Sequence, residues 1–271
     1  MTLFHSRAYF DLHAGAHYLQ AGSAVLPIWS SGGTNHSPLR GTFAGPSAGT
    51  MQDIEGVVGQ ALALRGQQHY KLAPQGHDGA HFATTYNVLT RLGFKVSQHD
   101  LNYERPVIGL GAFENGLSRG EQKHLHACDR AGWRAELTPL DHGLYGVIAD
   151  NRIRKGRALS MSYDAVKAMD TTFPGALLCF RITRNIDLAS AICLRLSPDI
   201  VYVYAWGDIA GCEHSPIVML AAGIYDWCAG EGVKIMDIGT ATEDGVPNPG
   251  LTAFKERLGF RPSLKLTMSR Y

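Results

Sequence analysis

RLGFKVS (Arg91–Ser97) returns near the far end of the chain as RLGFRPS (Arg257–Ser263). The first four residues and the closing serine are the same, and Lys95 against Arg261 keeps the charge. Ahead of the first copy, Phe82, Tyr86, Leu89 and Leu92 recur at helical spacing. Ahead of the second, Leu251, Phe254 and Leu258 do the same. Behind the copies, Phe94, Val96 and residues 99–103 read as extended chain, and Leu264, Leu266 and Met268 alternate as in a strand. Each copy is therefore a helix, a Leu-Gly-Phe turn and a strand. Gly93 and Gly259 stand where a helix end tolerates the left-handed conformation.

The likeness extends upstream. In the second half, DIVYVYAWGDI (199–209) predicts a strand, IVMLAAGIYDWCAGEG (217–232) a helix and VKIMDIG (233–239) a strand. Ser215-Pro216 is a good helix start, with Ser as cap and Pro in the first turn. In the first half, AVLPIWS (24–30) and GTFAG (41–45) predict strands. MQDIEGVVGQALALRG (51–66) predicts a helix, and QHYKLAP (68–74) the strand after it. Between the halves, helices are expected at 117–133, 138–153 and 162–170. Strands at 176–183 and 188–196 then lead into 200–207 as an antiparallel meander. The pattern predicts a duplicated α/β (α+β) fold, with units 1–115 and 116–271.

Composition sets the outer limits. The 271 residues are 45% hydrophobic and 18% charged, with a formal net charge of +1. That argues against a long basic track for nucleic acid, a polybasic membrane patch or a disordered chain. Cys128, Cys179, Cys193, Cys212 and Cys228 are odd in number and form no CxxC, which reads as reduced thiols. MTLFHSRAYFDLHAG lacks the basic start and apolar run of a secretion signal, and no stretch of about 18 apolar residues occurs. The expectation is a cytoplasmic protein without a membrane span. His77 with His81 and His124 with His126 lack a third ligand at a telling distance, and no HExxH, GxSxG, P-loop or GxGxxG context occurs. No metal is expected.

GLTAFKERLGF (250–260), YVYAWGD (202–208) and MDIGTA (236–241) resemble the GNAT acyltransferase superfamily, in its FemAB-like branch with two GNAT-like units in one chain. HSPLRGTFAG (36–45) resembles a segment of that branch's first unit. The resemblance implies tandem units, each a mixed, mostly antiparallel sheet flanked by helices. It also implies transfer of an acyl or aminoacyl group from an activated carrier to a small-molecule or peptide amine. The donor would lie where two parallel strands splay apart, its phosphates at a helix start near Ser215. The usual pyrophosphate loop is replaced by Asp208-Ile-Ala-Gly-Cys-Glu213, whose carboxylates oppose a pyrophosphate. Gly45-Pro-Ser-Ala-Gly49 in the first unit is friendlier to phosphate. The donor is thus open between acyl-CoA as a cosubstrate, an acyl-carrier protein and aminoacyl-tRNA, with no tightly bound cofactor.

Asp237, at the end of a strand beside the cleft, is the expected base, with capping of the next turn as its alternative. Tyr202, Tyr204 and Trp206 alternate and so are expected on one face, lining the cleft, with core packing expected for at least one of them; Tyr204 is the expected proton donor and Trp206 a cleft wall. Asp208 ends that strand as a cleft carboxylate or a turn former. Lys255, Asn248, His214, Ser215 and Thr240 are expected to bind substrate or donor, against ordinary surface, capping and helix-start roles. The alternative to an enzyme is a catalytically silent protein that keeps the duplicated fold and binds a ligand or partner.

Overall fold

The computed structural model describes every residue except 39, 40, 158 and 213. The first half of the chain contains α1 (Arg7–Leu12), β1 (His17–Ala21), β2 (Ala24–Ser31), β3 (Thr34–Ser37), α2 (Met51–Leu62), β4 (Gln67–Lys71), α3 (Gly79–Arg91) and β5 (Lys95–Pro106). Next come α4 (Arg119–Arg130), β6 (Glu136–Thr138), α5 (His142–Arg154), α6 (Tyr163–Thr172), β7 (Leu177–Thr183), β8 (Asp187–Ser197) and β9 (Ile200–Asp208). The chain ends with α7 (Pro216–Gly230), β10 (Ile235–Thr240), the two-residue strands β11 (Thr242–Glu243) and β12 (Val246–Pro247), α8 (Pro249–Arg257) and β13 (Arg261–Arg270).

Contacts divide the chain into two units. Unit 1 takes Met1–Asn102, Thr240–Asn248 and Pro262–Tyr271; unit 2 takes Tyr103–Gly239 and Pro249–Arg261. Neither is one uninterrupted segment.

In unit 1 the strands run in the order β1-β2-β3-β4-β13-β5. β3 and β4 are parallel, while β1–β2, β2–β3 and β4–β13 are antiparallel. Ile54, Val57, Val58 and Ala61 form one face of α2. They meet Leu26 and Ile28 of β2, Val88 and Leu89 of α3, and Leu266 and Met268 of β13 in a single apolar core. The strand expected at 41–45 is absent: a lone parallel bridge joins Ala44 to Leu72. The strand ahead of α2 is instead β3, a polar Thr-Asn-His-Ser run that hydrophobic alternation does not reveal.

In unit 2 the order is β10-β9-β8-β7-β6, and the end of β5 lies next to β10. The β7–β8–β9 meander is antiparallel as expected, and β9 and β10 run parallel. α7 is buried along most of its length and packs on β7, β8 and β9; α5 packs on β8 and β9.

The two Leu-Gly-Phe turns are built alike. Gly93 and Gly259 have φ of +84° and +79°. The Phe94 N–H reaches the Leu89 carbonyl at 3.0 Å, and the Phe260 N–H reaches the Lys255 carbonyl at 3.2 Å. This bond satisfies a carbonyl that the helix end would otherwise leave without a donor. Among the described residues no disulfide forms, and burial pushes the Cys128 thiol up to about 11. No helix among the described residues is long and apolar enough to cross a membrane.

Candidate functional site

The ladder between β9 and β10 ends with Asp237 opposite Tyr202. Both strands run on, to Asp208 and to Thr240, and among the described residues they make no further pairs to each other. Asp237 is fully buried there. Its Oδ1 accepts the Gly239 N–H at 2.6 Å, a turn closed by its own side chain. The capping alternative for Asp237 is therefore real, and it holds the carboxylate in one orientation. Gly239 has φ of +74°, and a Cβ there would lie 3.4 Å from the Tyr202 ring, so glycine alone fits without strain.

Lys255 is the second element of this end. It is only 3% exposed, on an otherwise half-buried helix. Its ammonium donates to the carbonyl oxygens of Ile238 (2.8 Å) and Gly239 (2.7 Å) and lies 5.5 Å from the Tyr103 ring centre. Burial lowers its pKa to about 7, against the pull of Asp237, which raises it; Arg152 lowers it further. A solvated helix lysine is thus not what the fold makes of it. Its sequence signal was a lysine on the apolar face of Phe254 and Leu258.

β9 departs from simple alternation. Ala205 faces Ile192 and Val203 faces Cys193, so Tyr204 is an extra residue on β9. Opposed residues of an antiparallel pair share a face. The bulge therefore puts Tyr202 on the face of Ala205 and Gly207, and Trp206 on the other. This corrects the expectation of one shared face for the three aromatics. Trp206 packs edge-on against Phe254, with ring centres 6.5 Å apart. The Tyr204 hydroxyl accepts the Met161 N–H at 2.9 Å and shares a hydrogen bond with Ser160 at 3.0 Å. Burial and then Arg157 lower the pKa of Arg152, half-buried on α5, while Tyr202 and Tyr204 raise it. Arg152 was not among the expected residues; Tyr202 was, with Tyr204 and Trp206, as a lining of the cleft. The NRIRKGR run (151–157) was the available signal for Arg152.

The other expected residues fall elsewhere. The Asp208 side chain takes the Asn151 amide at 2.5 Å, and its carbonyl takes Asn151 and Arg154, so it fastens the end of α5 to β9. Glu213 lies outside the described residues. His214 stacks obliquely on Trp133 at 5.7 Å. Ser215 precedes Pro216 as expected, yet its hydroxyl makes no cap bond, and α7 has no acidic residue in its first turn. Thr240 and Asn248 belong to unit 1, where the Asn248 N–H reaches the Ala241 carbonyl at 2.8 Å.

The loop that reads as phosphate-friendly in unit 1 is closed. Ser47 and Val25 exchange two hydrogen bonds, through the Ser47 N–H (2.8 Å) and the Ser47 hydroxyl (2.9 Å). Asp53 caps α2 by accepting from Thr50 (3.2 Å) and Ser23 (2.9 Å), which hold its carboxyl below the usual range. The protein's own carboxylate fills the place an anion would take.

No protein-family model and no curated protein matches the sequence. Solved structures do match in fold. FemX superposes with a TM-score of 0.74 at 10% identity, covering 98% of this chain and 91% of FemX. The C-terminal domain (DUF2156) of a protein from Agrobacterium fabrum gives 0.69 at 12%, covering 100% and 88%. L-PGS from Bacillus licheniformis gives 0.65 at 12%, covering 96% and 85%. The chain shares the fold of these structures, the tandem GNAT fold that the resemblance implied.

Proposed function

We propose that this protein transfers an acyl or aminoacyl group from an activated carrier to an amine, at the end of unit 2 that holds Asp237 and Lys255. The observation that carries the reading is the buried Lys255 ammonium, held on the Ile238 and Gly239 carbonyls where β9 and β10 part. A lysine titrating near 7 exchanges its proton at working pH, which an acid–base group must do. The neutral acceptor amine attacks the carbonyl carbon of the donor's ester or thioester. The new C–N bond forms, the C–O or C–S bond breaks, and the amine proton leaves through Asp237 or Lys255 to the departing group. Tyr204 organises the segment at Ser160 and Met161, and Tyr202 packs against Gly239.

Among the described residues the start of α7 has no cap bond from Ser215 and no acidic residue in its first turn, which supports a place there for donor phosphates. His214, Ser215, Trp206, Thr240 and Asn248 remain candidates for holding donor or acceptor. Acyl-CoA, an acyl-carrier protein and aminoacyl-tRNA are the donor classes, and none is expected to be tightly bound. The test is single-turnover transfer to a panel of amines, with each donor class supplied in turn. Product formation that Lys255→Leu abolishes supports the reading. Donor binding without transfer to any amine would favour the silent alternative.

A further inference from the structure

We propose that the exposed face of α4 docks the donor as a protein: an acidic helix of an acyl-carrier protein lies along Arg119, Lys123 and Arg130. This docking rests on the acyl-transfer reading and narrows its donor to one class.

Glu121 and Cys128, seven residues apart, form the buried side of α4. Arg119, Lys123, His126 and Arg130 follow one another by four, three and four residues, so they share the opposite side, and all are exposed. Arg130 in the last turn answers the helix dipole, but Arg119 in the first turn opposes it, so the stripe does not serve the helix itself. The acids nearby are already engaged. Glu114 accepts from His126 at 2.6 Å, Asp129 from Arg134 at 2.9 Å and Glu121 from Arg257 at 3.2 Å. Among the described residues Arg119, Lys123 and Arg130 have no ion pair. Residues 118–134 carry four Lys and Arg against two acids, in a chain whose formal net charge is +1.

The helix also joins two parts of the candidate site. At its start, the Ser118 N–H reaches the Arg257 carbonyl at 2.8 Å and Glu121 holds the Arg257 side chain, two residues beyond Lys255. At its far end, the Cys128 thiol donates to the Ser215 carbonyl at 3.6 Å, and Trp133 just beyond lies 5.7 Å from the His214 ring. A carrier lying on α4 therefore holds its acyl arm between the end of α8 and the start of α7. From Arg119 to Arg130 the stripe runs about 16 Å. A partner helix with carboxylates at the same four- and seven-residue spacing repeats it charge for charge. The stripe is too short for a nucleic-acid track, and the rest of the chain holds no surplus of positive charge to lengthen it.

The test titrates the full chain calorimetrically with a purified holo-acyl-carrier protein, and separately with bulk tRNA, at low and at moderate salt. Saturable binding of the carrier is expected, weaker as salt rises. Arg119→Glu, Lys123→Glu and Arg130→Glu together should weaken it about tenfold or more. Lys95→Glu, Lys167→Glu and Arg184→Glu together make the same change of charge at other exposed positions and should bind within about twofold of the wild type. All six side chains are exposed, so both variants should fold, which thermal unfolding checks. Equal dissociation constants for the wild type and the α4 variant would overturn the docking, as would the absence of saturable carrier binding. Binding of tRNA, but not of the carrier, that the α4 variant abolishes would also overturn it, in favour of a nucleic acid. Turnover separates docking from the reaction. With an acyl-carrier donor the α4 variant should raise the donor KM and keep kcat. With an acyl-pantetheine donor, which has no helix to dock, it should match the wild type. Equal loss with both donors sinks the docking and leaves acyl transfer standing. Carrier binding that depends on α4, without transfer to any amine, sinks the transfer reading and leaves the docking standing.

Discussion

Leu89 and Lys255 occupy the same place in the two copies of the repeat, five residues before the phenylalanine of Leu-Gly-Phe. Each backbone carbonyl takes the N–H of that phenylalanine. Both side chains are buried. Leu89 lies in the apolar core of unit 1 with Ile54, Val58 and Phe94. Lys255 points its ammonium at two strand carbonyls. The strands differ in step with them. In unit 1 the β3–β4 ladder is followed by the Ala44–Leu72 bridge, and the next helix is capped by its own Asp53. In unit 2 the β9–β10 ladder stops at Asp237, and the Ser215 hydroxyl ahead of the next helix makes no cap bond. One copy closes this end with core packing and a carboxylate cap; in the other the ladder stops and a buried ammonium meets two strand carbonyls.

The sharpest way to break this comparison is to exchange the two residues. Leu89→Lys should destabilise the fold by about 3 kcal/mol or more in urea titration, since the apolar core offers no partner for an ammonium. A loss under about 1 kcal/mol would mean that the two places are not different environments. The reverse change, Lys255→Leu, should leave a folded protein whose kcat/KM falls on the order of a hundredfold or more. Unimpaired turnover would remove Lys255 from the chemistry.

Lys255 also predicts a dependence of stability on pH. Its folded pKa is about 7, below the ordinary lysine value of 10.5, so between those values the unfolded chain binds more protons. Unfolding free energy should therefore rise with pH across that window, by at most about 1.4 kcal/mol per unit, and level off above it. Lys255→Leu should lack this component of the slope. Equal slopes for the two proteins between pH 7 and 10 would contradict a buried, lowered lysine.

The smallest effects concern the helix starts. Thr50→Ala should cost about 1 kcal/mol, because its hydroxyl accepts the Asp53 N–H at 3.1 Å. Ser215→Ala should change stability by less than about 0.5 kcal/mol, since that hydroxyl caps nothing. Thermal unfolding of both variants reads the difference. Similar losses would show that α7 is capped after all.

Much of the fold was legible because local chemistry writes itself into spacing. The helices before Gly93 and Gly259, the β7–β8–β9 meander and the Ser215-Pro216 start all follow from periodicity and turn residues. β3 escaped because its alternation is polar. The three aromatics of β9 were misplaced because a bulge leaves no mark in hydrophobic alternation, only in the register with β8. Asp237 was legible as a carboxylate ending a strand. Arg152 was not, because its place follows from α5 lying on β9, a contact between elements distant in sequence.

By itself the sequence determined that this protein is a duplicated α/β chain, because helix and strand periods and left-handed glycines depend on residues within a turn or two of one another. Only the tertiary structure decided where the last strands go. β13, which ends the second copy, lies between β4 and β5 in unit 1, and the end of β5, which closes the first copy, lies beside β10 in unit 2. Backbone N–H and C=O groups are the same in every strand, so partners are chosen by the faces that must be buried. Leu266 and Met268 find theirs in the core of α2 and β2. The same selection buries Lys255; its neighbours Phe254 and Leu258 hinted at that burial, but not at the Ile238 and Gly239 carbonyls it meets.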